Sequence, residues 1–186
     1  MSEADSDEDL MLAYAAGDAA AFDRLYQRFR KPLFGFLHRG LQDASMVEEC
    51  FQDVWTRVIK SRRSYQPSAR FSTWLFQIAH NRMVDVWRRQ RPNDSLDEML
   101  DEGPGLPDTA DPSPEASADG FQQQRRLRDA LARLPLEQRV AIQLRLEREL
   151  SLEEIAEVTG SGRETVKSRL RYAMDKLRQH FAGGSP

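Results

Sequence analysis

Residues 151–177, Ser-Leu-Glu-Glu-Ile-Ala-Glu-Val-Thr-Gly-Ser-Gly-Arg-Glu-Thr-Val-Lys-Ser-Arg-Leu-Arg-Tyr-Ala-Met-Asp-Lys-Leu, read as two short helices joined by a tight turn. Ser151 and Glu154 have the spacing of a capping box, which starts a helix. Ile155 and Ala156 face inward, and Gly160 ends the helix because a tight turn there needs a left-handed residue. Ser161 and Glu164 repeat the capping spacing and open a second helix. Its buried stripe is Val166, Leu170, Ala173, Leu177 and Phe181, which recur at helical spacing. Arg163, Lys167 and Arg171 lie four apart on another face. A capped helix, a glycine turn and a second helix with a basic exposed face can seat that face in a major groove of duplex DNA. The plainer reading is a helical hairpin whose basic face is merely solvated.

The chain of 186 residues carries a net charge of −3, which seems ill suited to a polyanion. The distribution removes the objection. Residues 1–91 carry a net +2, residues 92–120 a net −9 with no basic side chain, and residues 121–186 a net +4. Charges further apart than roughly 10 Å are largely screened, so the local sign decides contact with phosphate. The middle segment is rich in Pro, Gly, Asp and Ser and reads as a flexible acidic linker, with at most one helical turn at Ser95–Leu100. The predicted architecture is therefore all-α: a helical domain over 1–91, the linker over 92–120, and a second helical domain over 121–186 that contains the helix-turn-helix. The 29 linker residues have a contour of roughly 95 Å but a relaxed span near 30 Å. Two turns of DNA cover about 70 Å. The domains can reach sites two turns apart only if the linker is held extended.

The first domain predicts a helix near Asp7–Ala16 stopped at Gly17. A second, capped by Asp18, runs to about Leu37 with a kink at Pro32. A third, near Ser45–Lys60, buries Val47, Cys50, Phe51, Val54 and Val58. After the basic loop 62–70, a fourth helix capped by Ser72 or Thr73 runs to about Arg89. It combines Phe71, Trp74 and Phe76 with Asn81 and a basic end at Arg82, Arg88, Arg89 and Arg91. Rings stack on unpaired bases of any sequence while cations follow phosphates, so this pattern suits single-stranded nucleic acid. The alternative puts Trp74, Leu75, Ile78 and Val86 in a core and leaves the arginines as a solvated end favoured by the helix dipole. Glu48, Glu49, Gln52, Asp53, Thr56 and Arg57 form the polar side of the third helix, either a solvated face or a docking surface for a protein.

No enzyme signature appears. His38, His80 and His180 are far apart and lack the rhythm of metal ligands. There is no phosphate loop, and no Ser or Cys has a catalytic context. One cysteine, Cys50, cannot form an internal disulfide, and no segment resembles a signal peptide or membrane span, which together fit the cytoplasm.

Several stretches together resemble the extracytoplasmic-function (ECF) sigma factors of the sigma-70 family. They are Gly17 to Tyr26, Glu48 to Trp55, Phe71 to Asn81, Leu131 to Pro135, Leu152 to Val158 and Thr165 to Leu170. Each is weak alone; their order around an acidic linker is specific, and nearly the whole chain is covered. The resemblance implies a non-enzymatic, cofactor-free subunit that binds core RNA polymerase and directs it to a subset of promoters, often in a stress response. Residues 1–91 would dock on the polymerase clamp helices through Glu48, Glu49, Gln52, Asp53 and Arg57. They would also recognise and melt the −10 element through Tyr65, Arg70, Phe71, Ser72, Thr73, Trp74, Asn81, Arg82, Arg88 and Arg89, with a flipped base held by the loop from Tyr65 to Phe71. Residues 121–186 would meet the polymerase flap and read the −35 element through Arg163, Glu164, Thr165, Lys167, Ser168, Arg171 and Tyr172. An acidic linker would mimic nucleic acid in a basic channel. Family members are commonly held inactive by an anti-sigma factor. Three positions depart from the family pattern: Glu164 stands where Gly is usual, Tyr172 where Arg is usual, and His80 where Arg is common. The rival reading is a stand-alone helix-turn-helix regulator of duplex DNA, which would have no use for a single-strand-binding loop.

Overall fold

The computed structural model describes residues 5–41, 43–90 and 118–182, and all their regular structure is helical. The possible turn at Ser95–Leu100 and nearly all of the 92–120 linker lie outside the described residues.

Helix α1 (Asp7–Ala15) starts at Ser6, whose hydroxyl accepts the Asp9 N–H at 3.1 Å, and Asp7, Glu8 and Asp9 place negative charge at its positive end. It stops before Gly17, whose φ of +112° is a conformation glycine adopts without penalty. Helix α2 (Ala19–Gly40) is capped by the Asp18 carboxylate, which accepts the N–H groups of Ala20 and Ala21 at 2.9 and 3.4 Å. It passes through Pro32 and continues three residues past the expected end. Helix α3 (Ala44–Ser61) is capped by Asp43. Helix α4 (Phe71–Gln90) follows the loop 62–70. The first three helices each bury apolar residues: Leu10 and Met11 from α1, Leu25, Phe29, Leu33, Phe36 and Leu37 from α2, and Val47, Cys50, Val54, Trp55 and Val58 from α3.

The second half contains α5 (Ala118–Ala132), α6 (Leu136–Glu147), α7 (Leu152–Thr159) and α8 (Arg163–Ala182). The halves pack against each other, α7 on α4 and α6 on α2. Leu136, Val140, Leu144, Ile155, Val158 and Val166 belong to the same continuous apolar cluster as the buried residues of α2, α3 and α4. A smaller cluster of Ala130, Leu134, Ile142, Ala173 and Leu177 ties α5, α6 and α8 together.

Several expectations need correction. Neither Ser72 nor Thr73 caps α4. The helix begins one residue earlier, at Phe71, and the Glu8 carboxylate of α1 accepts the Phe71 N–H. Phe51 is only half-buried, because it belongs to an outer aromatic row with Tyr26 and Phe34, packed over Trp55, which takes the core position. The core face of α4 contains Phe76, Ala79, Met83 and Trp87 beside Leu75 and Val86, and Trp74 and Ile78 lie at its margin. Ser161 does not cap α8: the helix starts two residues later, and the Ser161 hydroxyl lies 2.7 Å from Thr159 Oγ1 and accepts from Arg169 at 3.2 Å. Phe181 is exposed, since the core ends at Leu177. Helix α5 begins at Ala118, inside the segment read as linker.

Where α2 meets α4 the backbones come close. A Cβ built on Gly40 would stand 1.9 Å from the Met83 sulfur, and Met83 is fully buried with little room to move. Trp87 Nε1 donates to the Gly40 carbonyl at 3.1 Å. Overpacking costs about 1–3 kcal/mol, and the helix propensity gained by Ala over Gly returns about 1 kcal/mol. Gly40→Ala is expected to lower stability by up to about 2 kcal/mol on balance, measurable as a lower midpoint in urea; an unchanged or higher midpoint would mean that Met83 repacks freely.

Candidate nucleic-acid and polymerase interfaces

The helix-turn-helix is built from reciprocal local bonds. The Ser151 hydroxyl accepts the Glu154 N–H at 3.1 Å, and the Glu154 carboxylate accepts the Ser151 N–H at 2.8 Å. Gly160 adopts φ 61° and ψ 30°, and the Ser161 N–H returns to the Ala156 carbonyl at 3.0 Å, closing the helix end. This turn sets the start of α8 at the surface. Arg163, Glu164, Thr165, Lys167, Arg171 and Tyr172 are exposed and Ser168 is half-buried. Glu164 is not a cap. Its carboxylate lies 3.3 Å from Arg163 and 3.8 Å from Lys167, an anion set among the cations of the same edge. Arg163 is also held by Glu153 of α7, and this hydrogen bond and charge keep its guanidinium firmly protonated. The Arg171 guanidinium sits 5.0 Å from the Tyr172 ring centroid.

The second candidate surface surrounds the start of α4. Ser61, Ser64, Tyr65, Gln66, Ser68 and Trp74 line a pocket of about 300 Å³. Its aromatic wall is set by Tyr65 and Trp74, whose rings meet edge to face at 5.0 Å. Tyr65 is mostly buried; that burial, with the charges of Glu8 and Asp7, pushes its phenol up to about 12. Phe71 is a core residue, packed 5.2 Å from Phe29 between ring centroids, and supports the pocket from behind. Thr73 is fully buried, Ser72 and Trp74 are half-buried, and Arg70, Asn81, Arg88 and Arg89 are exposed.

The third surface is the outer side of α3, where Glu48, Glu49, Gln52, Asp53 and Arg57 are all exposed. Arg82 of α4 is not an open phosphate contact. It lies against α3, with Nε donating to Asp53 at 2.6 Å and Nη2 to Glu49 at 2.9 Å. Burial would lower its pKa, but the hydrogen bond and charge of Asp53 outweigh that and the net shift is upward. Arg82 therefore orients two of the acidic groups of the α3 face.

Residues 25–92 match the family described as Sigma-70 region 2, and residues 130–179 match Sigma-70, region 4. The chain is 40% identical over 167 residues to the ECF RNA polymerase sigma factor RpoE of Cereibacter sphaeroides, covering 89% of this chain and 88% of that one. It is 31% identical over 172 residues to the RNA polymerase sigma factor CarQ of Myxococcus xanthus, covering 91% and 94%. The chain belongs to the ECF RNA polymerase sigma factors. Its fold agrees with that of the Bartonella quintana sigma factor RpoE, solved in complex with the anti-sigma factor NepR, at a TM-score of 0.70 with 21% identity over 88% of this chain and 98% of that one. It agrees likewise with CnrH in complex with the cytosolic domain of CnrY, at 0.68 with 22% identity over 97% and 100%. This sigma factor is thus an alternative specificity subunit that directs promoter-specific transcription by RNA polymerase, and the stand-alone regulator is set aside. Among the described residues no helix is long and apolar enough to cross a membrane, and no cluster of side chains is suited to hold a metal ion.

The contact between the sigma factor's halves contains polar groups that the linear pattern did not reveal. Glu137 of α6 is almost completely buried. One of its carboxylate oxygens lies 2.9 Å from His80 Nε2 on α4 and the other 3.0 Å from Arg169 Nη1 on α8. His80, the departure from the family's usual Arg, is thus a domain-contact residue. Arg139, two residues further along α6, is also buried. It donates to the carbonyls of Arg39 at 2.8 Å and Leu134 at 3.1 Å, and burial lowers its pKa to about 10. Arg39 pairs with Glu147. Nearer the start of α4, Thr73 Oγ1 donates to Glu154 at 3.3 Å, Gln77 donates to the Glu157 carbonyl at 3.1 Å, and Arg70 stands 3.6 Å from the same Glu154 carboxylate. Those of the contacts that join the two halves span 57 or more residues of sequence, beyond the reach of any periodicity.

Removing one member of a buried ionic group leaves its partners desolvated, at about 3–5 kcal/mol. Glu137→Ala is therefore expected to lower unfolding free energy by about 3 kcal/mol or more, whereas Glu153→Ala, on exposed surface, should change it by less than about 0.5 kcal/mol. Equal effects in a denaturant titration would show that the Glu137 cluster contributes no more than an ordinary surface pair.

Proposed function

We propose that residues 1–91 dock on core RNA polymerase and open the −10 element, that residues 121–186 read the −35 element, and that the 92–120 segment tethers them through the polymerase. The observation that carries the −35 assignment is the helix-turn-helix itself: a boxed α7, a left-handed Gly160, and an α8 whose exposed edge presents Arg163, Lys167 and Arg171. Arg and Lys on such an edge bond to phosphates or to guanine O6 and N7, Thr165 and Ser168 add shorter-range donors, and Glu164 can accept from cytosine N4. Tyr172 adds an apolar edge. In the first half, the pocket walled by Tyr65 and Trp74 suits a base taken out of the stack. Asn81, Arg70, Arg88 and Arg89 supply polar and cationic contacts along the strand, and Ser72 and Thr73 sit at the helix start. Phe71 acts from behind by fixing Trp74. Glu48, Glu49, Gln52, Asp53 and Arg57 meet the polymerase clamp, with Arg82 as the residue that positions them. The chemistry is binding and strand separation with no covalent step, and it takes place in the cytoplasm. An anti-sigma factor is the proposed negative regulator, as in the complexes of the structurally similar sigma factors.

Transcription in vitro with core polymerase on a promoter library, with and without the chain, tests this reading directly; failure to yield a promoter-specific product would overturn it. Two substitutions separate the roles within α8. Lys167→Ala, if the side chain meets a phosphate, is expected to weaken all promoters alike and reduce the salt slope by about one unit. Glu164→Gly is expected to alter which bases are tolerated, by roughly 1–3 kcal/mol per contacted pair.

On α3, Gln52→Arg is expected to abolish co-purification with core polymerase while leaving the helical signal intact. Gln52 is the cleaner site for this measurement than Asp53, which also holds Arg82. Undiminished binding to core would remove the α3 assignment.

A further inference from the structure

We propose that α7, besides being the first helix of the helix-turn-helix, closes over the −10 surface, with the Glu154 carboxylate standing where a phosphate of the −10 strand would bind. The proposal rests on the domain roles given above.

The polar groups of α4 that meet α7 and α6 form one stripe. Arg70 lies at its start, and Thr73, Gln77 and His80 follow at helical spacing. Each meets an acceptor of the second domain. Arg70 and Thr73 share the Glu154 carboxylate, Gln77 takes the Glu157 carbonyl, and His80 takes Glu137. Donors in a row opposed by carboxylates and a carbonyl reproduce the pattern that a strand's phosphate oxygens would offer. Thr73 has no exposed surface in this arrangement, so a strand cannot reach it until α7 leaves.

The covering is selective. Arg163, Thr165, Lys167 and Arg171 on α8 remain exposed while α7 lies on α4. The closed molecule can present its −35 edge yet not its complete −10 edge. The two elements are about two turns of duplex, roughly 70 Å, apart, whereas α4 and α7 are in direct contact. Engaging both elements therefore requires the halves to separate, and separation withdraws Glu154 from Arg70 and Thr73. Strand binding and opening are one coupled equilibrium. A ligand that binds only the open form sees its affinity reduced by the open fraction. The contact is also within reach of competitors: the Arg70 side chain is 61% exposed, so an incoming phosphate can take it before Thr73 is uncovered.

Glu154 can be changed without losing α7. Gln at the third helical position also satisfies a capping box, so Glu154→Gln keeps the local fold and removes the charge. Glu153→Gln removes the same charge one residue away, where the carboxylate faces Arg163 and not α4. The probe is a fluorescent single strand bearing the non-template −10 element of a promoter that this chain fires with core polymerase.

For the free full-length chain, Glu154→Gln is expected to raise affinity for this strand several-fold and to increase the radius of gyration in solution scattering. Glu153→Gln should leave both unchanged. With core polymerase on a pre-melted promoter, where the halves are already apart, Glu154→Gln should behave as the parent. The proposal is overturned if the free Glu154→Gln chain binds the strand no better than the parent, or if Glu153→Gln improves binding equally, which would make the effect one of net charge. In either case normal firing of the promoter by the parent holoenzyme leaves the domain roles standing; a parent holoenzyme that neither fires nor binds the strand would instead remove those roles.

Discussion

A buried carboxylate is the point on which the arrangement of this molecule turns. Glu137 is shut away from solvent, so its charge depends on the protein groups around it. One partner, His80, comes from the first half; the other, Arg169, comes from α8. The same residue therefore fixes how α8 lies on α6 and how the second half lies on the first. Around it the apolar cluster runs without a break from α2 and α4 into α6 and α7, so the polar contact is sealed by packing.

The halves thus have two demands that conflict. Closed, they bury a shared apolar surface and pair the stripe Arg70, Thr73, Gln77 and His80. Open, under the proposed roles, they would reach DNA sites that a compact molecule cannot span. The closed contact carries its own penalties. Arg139 is buried with hydrogen bonds to two carbonyls, and burial has drawn its pKa down. Its donors include one to the Arg39 carbonyl of the other half, a bond that water replaces when the halves part.

What the linear sequence disclosed and what it hid follow from the range of each interaction. Capping and turn chemistry act over two to five residues. Asp18, the Ser151 and Glu154 box, and Gly160 could all be read from spacing, and with them the start of α2 and both ends of α7. Ser161 with Glu164 had the same spacing but a glycine on each side of Ser161. The backbone then placed the helix start after Gly162, leaving Ser161 free for Thr159 and Arg169. The start of α4 was misplaced for a related reason. Its first N–H is satisfied by Glu8, 63 residues away, and no local signal marks such a donor. His80 stood out as a departure from a family pattern, yet its partner could not be inferred. Arg82 read as one of a basic cluster, whereas Asp53 and Glu49 draw it onto α3.

The continuous apolar cluster between the halves has a thermal consequence. Parting α4 from α7 and α2 from α6 exposes hydrocarbon to water, and such exposure carries a positive heat-capacity change. The apolar contribution to closure then weakens on cooling and strengthens on moderate warming. The polar stripe does not share this dependence in the same degree. Cooling accordingly removes part of the apolar drive that holds the two halves of this sigma factor together.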